Sequence, residues 1–209
     1  MNIDYQTTLI MKAPGEIHRG SNPCRSAAES GTLSIRDAAN LQKLKNEKFT
    51  HIVCLLEKAR AKAIPFYREK DFKVVHFPIA DYGTPDPFEL AGLVKKISNI
   101  AQDPKNKILV HCQGGFGRTG LVLACLQRAV TGCSGNEAIA KIRKLVPHSI
   151  ETKPQENLVR NFHQVAQENK RVKHIERLEA QIAALGTGKS GRAKKSNLVL
   201  QLREYAKVV

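Results

Sequence analysis

A cysteine and an arginine separated by five residues, three of them glycine, are the residues of this chain best suited to carry out chemistry. The segment runs from Cys112 to Arg118-Thr119-Gly120. With this spacing, backbone N–H groups can turn towards one tetrahedral anion, and the positive end of a following helix strengthens the site. A cysteine in such surroundings is favoured as a thiolate nucleophile, and the planar guanidinium of Arg118 can bind two phosphoryl oxygens.

The flanking residues predict the elements that position this segment. An apolar run at 108–110 predicts a strand, and another at 121–126 predicts a helix, so the order is strand, tight loop, helix. A nucleotide-binding P-loop fits poorly, because it needs Lys followed by Ser or Thr after its last glycine. A buried structural thiol is the other interpretation of a cysteine, and it suits Cys125 and Cys133 better than Cys112.

The run from His111 to Gly120 resembles the signature loop of the cysteine-dependent protein tyrosine phosphatase superfamily. The resemblance implies that Cys112 attacks phosphorus and that Arg118 binds the phosphate and stabilises the transition state. It also implies that Thr119 helps the sulfur to leave and that His111 organises the loop and helps to keep the thiolate. The implied phosphate-binding loop consists of Gln113, Gly114, Gly115, Phe116 and Gly117.

The resemblance also implies a general acid on a loop some thirty residues upstream. The turn-rich segment 77–86 follows a predicted strand, and its Asp81 lies 31 positions before Cys112. The sequence of this segment resembles that of the acid loop in the dual-specificity branch, especially in the cyclin-dependent-kinase-associated phosphatases. In those loops the first aspartate is the acid. Asp81 is therefore the predicted general acid and base. Asp86 is the alternative, although it also fits the N-cap of a helix.

Two further residues are carried over from the family. Gln155 follows a region that resembles the family, although Val146 stands where many members have arginine, and it is predicted to position the hydrolytic water. Its alternative role is to start a helix. Cys54 ends a predicted buried strand and is a candidate redox partner that would protect Cys112 by a reversible disulfide. Its alternative is a packed core thiol, and a Cα–Cα separation beyond ~7 Å would exclude bridging.

The pattern of elements predicts an α/β fold. Short apolar strands alternate with helical stretches, which is typical of a mainly parallel sheet. We expect a central twisted sheet of four to five strands flanked by helices on both faces, similar to the dual-specificity phosphatase fold over about residues 15–168. The predicted strands lie at 16–21, 50–56, 73–79 and 107–112. The predicted helices lie at 34–48, 59–70, 86–101, 118–131, 134–146 and 154–168.

The predicted domain organisation is a phosphatase domain over 1–168 and a basic helical C-terminal extension over 169–209. The extension has apolar residues at helical spacing, a Gly/Ser/Lys linker near 186–196 and a terminal amphipathic stretch. A basic amphipathic tail can contact an anionic membrane, nucleic acid or a partner, or can pack on its own domain. The residues that mark its helices are Val172, Ile175, Leu178, Ile182 and Leu185, then Leu198, Leu202, Tyr205 and Val209.

Composition sets broad limits on the function. The chain has 209 residues and a net charge of +15, which favours anionic substrates and permits nucleic-acid or membrane contact, or forms a solvated surface. We expect no transmembrane segment, because no apolar run approaches ~18–20 residues, and no Sec-type signal peptide. Five cysteines without repeated spacing favour a reducing, cytoplasmic compartment, with non-Sec export left open. No cofactor and no metal are predicted.

The predicted function is hydrolysis of phosphate monoesters through a cysteinyl-phosphate intermediate. The resemblance to the dual-specificity branch implies phosphotyrosine and phosphoserine or phosphothreonine in proteins as substrates. Phosphoinositide hydrolysis is an alternative that the absence of lysine from 113–117 disfavours, and RNA 5′-phosphate hydrolysis rests only on the net charge. A catalytically inactive phosphate-binding adaptor is the alternative from another class, disfavoured because the nucleophile, arginine and acid are all present.

Overall fold

The computed structural model describes residues 5–185 and 194–201, with 163–173 described by their backbone only. The strands are β1 (Thr7–Ala13), β2 (Gly15–Gly20), β3 (His51–Cys54), β4 (Lys73–His76) and β5 (Lys107–His111). The helices are α1 (Arg25–Ser30), α2 (Ile35–Asn46), α3 (Ile64–Glu69), α4 (Pro87–Ile100), α5 (Gly117–Thr131), α6 (Gly135–Leu145) and α7 (Lys153–Ala183), with a 3₁₀ turn at Lys58–Arg60.

The five strands form one sheet in the order β1-β2-β5-β3-β4. Strands β2, β5, β3 and β4 are parallel, and β1 pairs antiparallel with β2, so the predicted α/β class with a mainly parallel sheet is confirmed. The sequence did not predict β1. Its register shifts between Leu9 and Met11, and such a bulge breaks the alternation of buried and exposed residues by which a strand is recognised.

Helices cover both faces of the sheet. The central strand β5 sends Ile108 and Val110 into a core formed with α4, α5 and α6. Leu109 enters a second core formed with α1, α2 and α3. Because both faces of β5 are buried, the strand appears in the sequence as a continuous apolar run, as parallel strands usually do.

Except for the helix predicted at 59–70, the predicted helices begin within one residue of α2, α4, α5, α6 and α7. Helix α2 begins with a reciprocal capping box in which Ser34 accepts from the N–H of Asp37 and the Asp37 carboxylate accepts from the N–H of Ser34. The helix predicted at 59–70 is wrong: the segment splits into the 3₁₀ turn and α3. Pro65 in the first turn of α3 has no N–H, and its ring would clash with the carbonyl of Ala61 in a continuous helix.

The C-terminal part departs from the predicted boundaries. The last helix was predicted to end near 168, but α7 runs to Ala183. The chain divides into two compact units, Met1–His163 and Gln164–Val209, and the predicted domain boundary at 168 stays a prediction. Of the predicted linker, 186–193 lie outside the described residues, whereas 194–196 begin a helical stretch over 194–201. Leu202, Tyr205 and Val209 also lie outside the described residues.

None of the helices in the described part of the chain combines the length and the apolar character that a bilayer crossing requires.

Candidate active site

The predicted phosphate loop lies between the end of β5 and the start of α5. Cys112 is 3% exposed, and the N–H of Gly115 donates to its Sγ at 3.2 Å. Gly115 has φ of +81°, and a Cβ atom there would lie 2.3 Å from the carbonyl oxygen of Gly20. Only glycine satisfies both the left-handed backbone and this close approach. The loop therefore presents a backbone donor to the sulfur, and the role of Cys112 as nucleophile stays a prediction.

Arg118 and Asp81 meet at this loop. The guanidinium of Arg118 is buried, and its Nη1 donates to the carbonyl oxygen of Ile79 at 3.1 Å. Its Nη2 lies 2.6 Å from Oδ1 of Asp81, whose side chain remains 46% exposed. The structure thus brings the candidate acid next to the loop while leaving part of its carboxylate open to solvent.

The alternative acid, Asp86, has a different environment. Its Oδ1 accepts from the N–H groups of Phe88 at 2.8 Å and Glu89 at 2.9 Å, which makes Asp86 the N-cap of α4. A carboxylate that satisfies two helix amides is committed to holding the helix end. The geometry therefore favours Asp81 as the acid, and the assignment stays a prediction.

His111 and Thr119 are both fully buried at the loop. His111 Nδ1 lies 3.0 Å from the carbonyl oxygen of Cys112. A carbonyl only accepts, so Nδ1 carries the proton. Burial lowers the pKa of His111 to about 4, and the ring is neutral at neutral pH. The Thr119 hydroxyl has no hydrogen-bond partner among the described residues, and its predicted role towards the cysteine sulfur stays a prediction.

Sequence reasoning missed Arg19, which supports the loop from the neighbouring strand. Its Nε donates to the carbonyl oxygen of Gly115 at 3.2 Å and its Nη2 to that of Gly114 at 3.0 Å. Its guanidinium also lies 4.9 Å from the centre of the Phe116 ring. By binding two carbonyl oxygens, Arg19 helps to fix the orientation of these peptide groups in the loop. No local signal identifies it, because the contact depends on β2 lying beside β5.

Asn22 and Tyr67, also missed, hold the start of the loop. The Asn22 N–H donates to the carbonyl oxygen of Gln113 at 3.0 Å, and its Nδ2 donates to Oε1 of the same residue at 3.3 Å. The Tyr67 hydroxyl donates to Oδ1 of Asn22 at 3.2 Å, and its ring packs edge-on against His111. These contacts connect the loop to the core on the α3 side of the sheet.

The first turn of α7 holds the loop that carries the acid. Gln155 is fully buried, and its Nε2 donates to the carbonyl oxygen of Gly83 at 3.0 Å while its Oε1 accepts from the N–H of Glu151 at 2.9 Å. Thr152 donates to the carbonyl oxygen of Tyr82 at 3.3 Å. Both ends of the Gln155 amide are thus occupied, so the residue positions the acid loop in this structure. Its predicted role towards the hydrolytic water stays a prediction.

Cys54 lies at the end of β3, where it pairs with His111, the residue before the nucleophile. It is a free thiol that is 1% exposed, and burial raises its pKa to about 11. At neutral pH it is therefore a thiol rather than a second nucleophile. The redox partnership of Cys54 with Cys112 stays a prediction.

The fold and this loop define a phosphatase of the protein tyrosine phosphatase superfamily, and the family comparison agrees. Residues 27–159 match the family model described as "PTP-SAK: Swiss Army Knife protein, DSP-PTPase phosphatase domain". The matched part covers more than half of the chain, and the chain belongs to this family of phosphatase domains, in the dual-specificity part of the superfamily.

Curated relatives match about half of the chain. A protein of Danio rerio, "Protein tyrosine phosphatase domain-containing protein 1", is 35% identical over 98 residues, which are 47% of this chain and 14% of that protein. "Cyclin-dependent kinase inhibitor 3" of Homo sapiens is 33% identical over 101 residues, which are 47% of each protein. The matches therefore span less than half the length of these relatives.

Solved structures agree in fold. A crystal structure of kinase-associated phosphatase, with serine in place of its catalytic-site cysteine, superposes with a TM-score of 0.70 at 20% identity. The superposition covers 80% of this chain and 98% of that chain. At this identity the likeness shows the architecture, namely a five-stranded, mostly parallel sheet flanked by helices.

Proposed function

We propose that this protein hydrolyses phosphate monoesters on phosphorylated tyrosine and serine or threonine in proteins, through a cysteinyl-phosphate intermediate. The observation that carries the proposal is the buried Cys112 sulfur with the Gly115 N–H at 3.2 Å, together with the Arg118–Asp81 pair that joins the acid loop to the start of α5. A thiolate, a backbone donor, a guanidinium and a carboxyl group are what phosphoryl transfer to sulfur requires.

In the first step, the Cys112 thiolate attacks phosphorus and forms an S–P bond while the bond from phosphorus to the substrate oxygen breaks. Protonated Asp81 gives its proton to the leaving oxygen. Loop amides and Arg118 stabilise the charge on the equatorial oxygens. A bound phosphate dianion competes with Asp81 for the guanidinium of Arg118, and this competition frees the carboxyl group to turn towards the leaving oxygen.

In the second step, water attacks phosphorus and the S–P bond breaks. Asp81, now a carboxylate, takes the proton from the water, and the thiolate is regenerated as inorganic phosphate leaves. The Thr119 hydroxyl, which has no other partner in the described part of the chain, donates to the sulfur as it departs. The residue roles are those that the family resemblance implies.

The favoured substrate is a phosphoprotein. Phosphoinositides are disfavoured because residues 113–117 contain no lysine to bind additional phosphates on the inositol ring. The exposed ring of Phe116 at the edge of the loop offers a flat apolar surface to a side chain or peptide.

Hydrolysis of p-nitrophenyl phosphate by wild type and Cys112→Ser tests the proposal. We expect Cys112→Ser to lose more than about 10³-fold in kcat, because the first covalent step needs the thiolate. Cys133→Ser, which removes a half-buried thiol outside the loop, is the matched control and should retain activity. Acid quenching with a radiolabelled phosphopeptide should leave label on Cys112. Equal rates for wild type and Cys112→Ser would refute the nucleophile, and an inactive wild type that binds phosphopeptide would favour an adaptor.

A further inference from the structure

A cavity of about 600 Å³ lies directly beside the phosphate loop. Gly114 and Phe116 of the loop form one wall, and the opposite wall comes from the segment after β2, from α1 and from α2. The mechanism described above uses none of the residues of this opposite wall. The cavity is therefore a second recess that a substrate seated in the loop can reach.

This cavity carries positive charge. Arg19, Arg25 and Arg36 line it, and Arg25 and Arg36 are exposed. Among the described residues that line it, the carboxylate is that of Asp37, which is 3% exposed and accepts from the N–H groups of Ala27 and Ser34 at 3.0 and 3.3 Å. Its Oδ2 is thus engaged by two backbone amides. The other polar lining residues are Gln6, Ser21, Asn22, Ser26 and Asn40.

Arg19 connects the cavity to the loop. It donates to two loop carbonyls, stacks on Phe116 and lines the cavity, so its guanidinium contacts both the loop and the cavity. A molecule that places its phosphate on Cys112 and carries another anionic group nearby can contact both sites at once. Arginine is well suited to such a group, because its planar fork binds carboxylate or phosphate with two hydrogen bonds.

We propose that the cavity binds a second anionic group of a phosphopeptide, a carboxylate or another phosphate, close in sequence to the phosphorylated residue that is hydrolysed. This inference rests on the proposed function and narrows its substrate class. A peptide is favoured over a lipid headgroup because amide and hydroxyl side chains suited to hydrogen bonding with peptide groups line the cavity.

The test uses a phosphotyrosine peptide with neutral flanks and derivatives in which glutamate or phosphoserine is moved one position at a time on both sides. For wild type we expect one position to raise kcat/KM by about 3- to 10-fold, chiefly by lowering KM, because the contact persists from ground state to transition state. The glutamate and phosphoserine series together distinguish carboxylate from phosphate as the preferred group.

Arg25→Gln should remove most of this preference while leaving hydrolysis of p-nitrophenyl phosphate unchanged, and Arg25→Lys should keep part of it. Lys96→Gln is the matched control, because it removes one positive charge from an exposed site on α4, which covers the other face of the sheet. It should behave as wild type.

The inference is overturned if wild type shows no preference for an acidic group near the phosphorylated residue, or if this preference is unchanged in Arg25→Gln. Hydrolysis of a soluble inositol polyphosphate gives a second criterion. If Arg25→Gln lowers kcat/KM for this compound more than for the acidic peptides, the occupant of the cavity is not a peptide and the inference is overturned. If wild type fails to hydrolyse p-nitrophenyl phosphate, the proposed function fails instead. Fluorescence anisotropy with the same peptides then tests the subsite by binding alone. Tighter binding of peptides with acidic flanks that is lost in Arg25→Gln supports the subsite, and equal affinities of wild type and Arg25→Gln for these peptides refute it.

Discussion

Two aspartates five positions apart, Asp81 and Asp86, have environments that suit different roles, one as a general acid and the other as a helix cap. Asp81 pairs with Arg118 beside the nucleophile, and nearly half of its side chain is exposed. The carboxylate of Asp86 instead accepts hydrogen bonds from two backbone amides of α4. A general acid must reach the leaving group and exchange its proton, and only the first environment permits this.

Substituting each aspartate by asparagine tests this division. Asp81→Asn removes the proton donor at nearly constant size, and we expect kcat to fall by about 10²-fold or more. Asp86→Asn should leave kcat near that of wild type, because asparagine caps helices about as well as aspartate. Steady-state hydrolysis of an aryl phosphate measures both, and a large loss in Asp86→Asn with a small one in Asp81→Asn would transfer the role of acid to Asp86.

His111 predicts a pH dependence of stability. Burial lowers its pKa to about 4 in the folded state, below the ordinary value of about 6.5 expected when the chain is unfolded. The unfolded chain therefore binds the proton more readily. The contribution of neutral His111 to stability is complete above about pH 6.5 and is lost as the pH falls towards 4. By about pH 5 the free energy of unfolding has fallen by about 2 kcal/mol from this cause.

Urea unfolding of wild type and His111→Gln at neutral and mildly acidic pH measures this effect. His18 and His51 also have lowered pKa values because of burial, so wild type should lose stability on acidification for several reasons. The variant should lose less between the two pH values than wild type does. An identical loss in both proteins would show that His111 is not neutral and buried as described.

At the level of elements, the site depends on which strands and helices are neighbours. The register of β2, β5 and β3 places the ends of all three parallel strands at one edge, so that Gly20 and Cys54 both pair with His111. The start of α7 then reaches across to the acid loop through Thr152 and Gln155. Separate parts of the chain thus hold the phosphate loop and the acid loop, which meet through the Arg118–Asp81 pair.

Gln155→Ala tests the connection between α7 and the acid loop. The change leaves the Gly83 carbonyl and the Glu151 amide without their side-chain partner, at a cost of about 1–3 kcal/mol in unfolding free energy. If Gln155 mainly positions the acid loop, both the formation and the hydrolysis of the intermediate should slow, by about tenfold for a misplacement of this kind.

Stopped-flow measurement of p-nitrophenol release separates the two steps. Slower formation of the intermediate is the expected outcome for Gln155→Ala. A fast burst followed by a slower steady state would mean that only the second step is impaired, and it would assign Gln155 to the hydrolytic water.

Across the whole molecule, the dominant feature is the net charge of +15. A strongly positive surface attracts anionic substrates over distances that depend on ionic strength. The arginine-lined cavity beside the loop adds a local positive site to this general field.

Raising the ionic strength from about 0.01 M to about 1 M shortens the Debye length from about 30 Å to about 3 Å. We expect kcat/KM for a phosphopeptide with acidic flanks to fall steeply over this range, since both steering and the ion pairs weaken. The same phosphorylated residue with basic flanks should show a flat or opposite dependence. Equal slopes for the two peptides would mean that the charge of the surface does not act on substrates.

The amino-acid sequence by itself determined the position of the candidate phosphate loop. Its cysteine, glycines and arginine lie within seven consecutive residues, and the pattern that marks them depends on local spacing. It also determined the start of α2, which was predicted at 34, and the strand before Cys112, because both depend on local patterns as well. The break before α3 was readable from Pro65 but was not predicted.

Only the tertiary structure decided the contacts made across the fold. Arg19 bonds a loop carbonyl 96 positions away, and Gln155 bonds the acid loop 72 positions away. Such contacts follow from the strand order β1-β2-β5-β3-β4, in which β5 inserts between β2 and β3. The pairing of Asp81 with Arg118 likewise depends on where the fold places that arginine. Local spacing encodes none of these, because they arise from packing between elements that are distant in the chain.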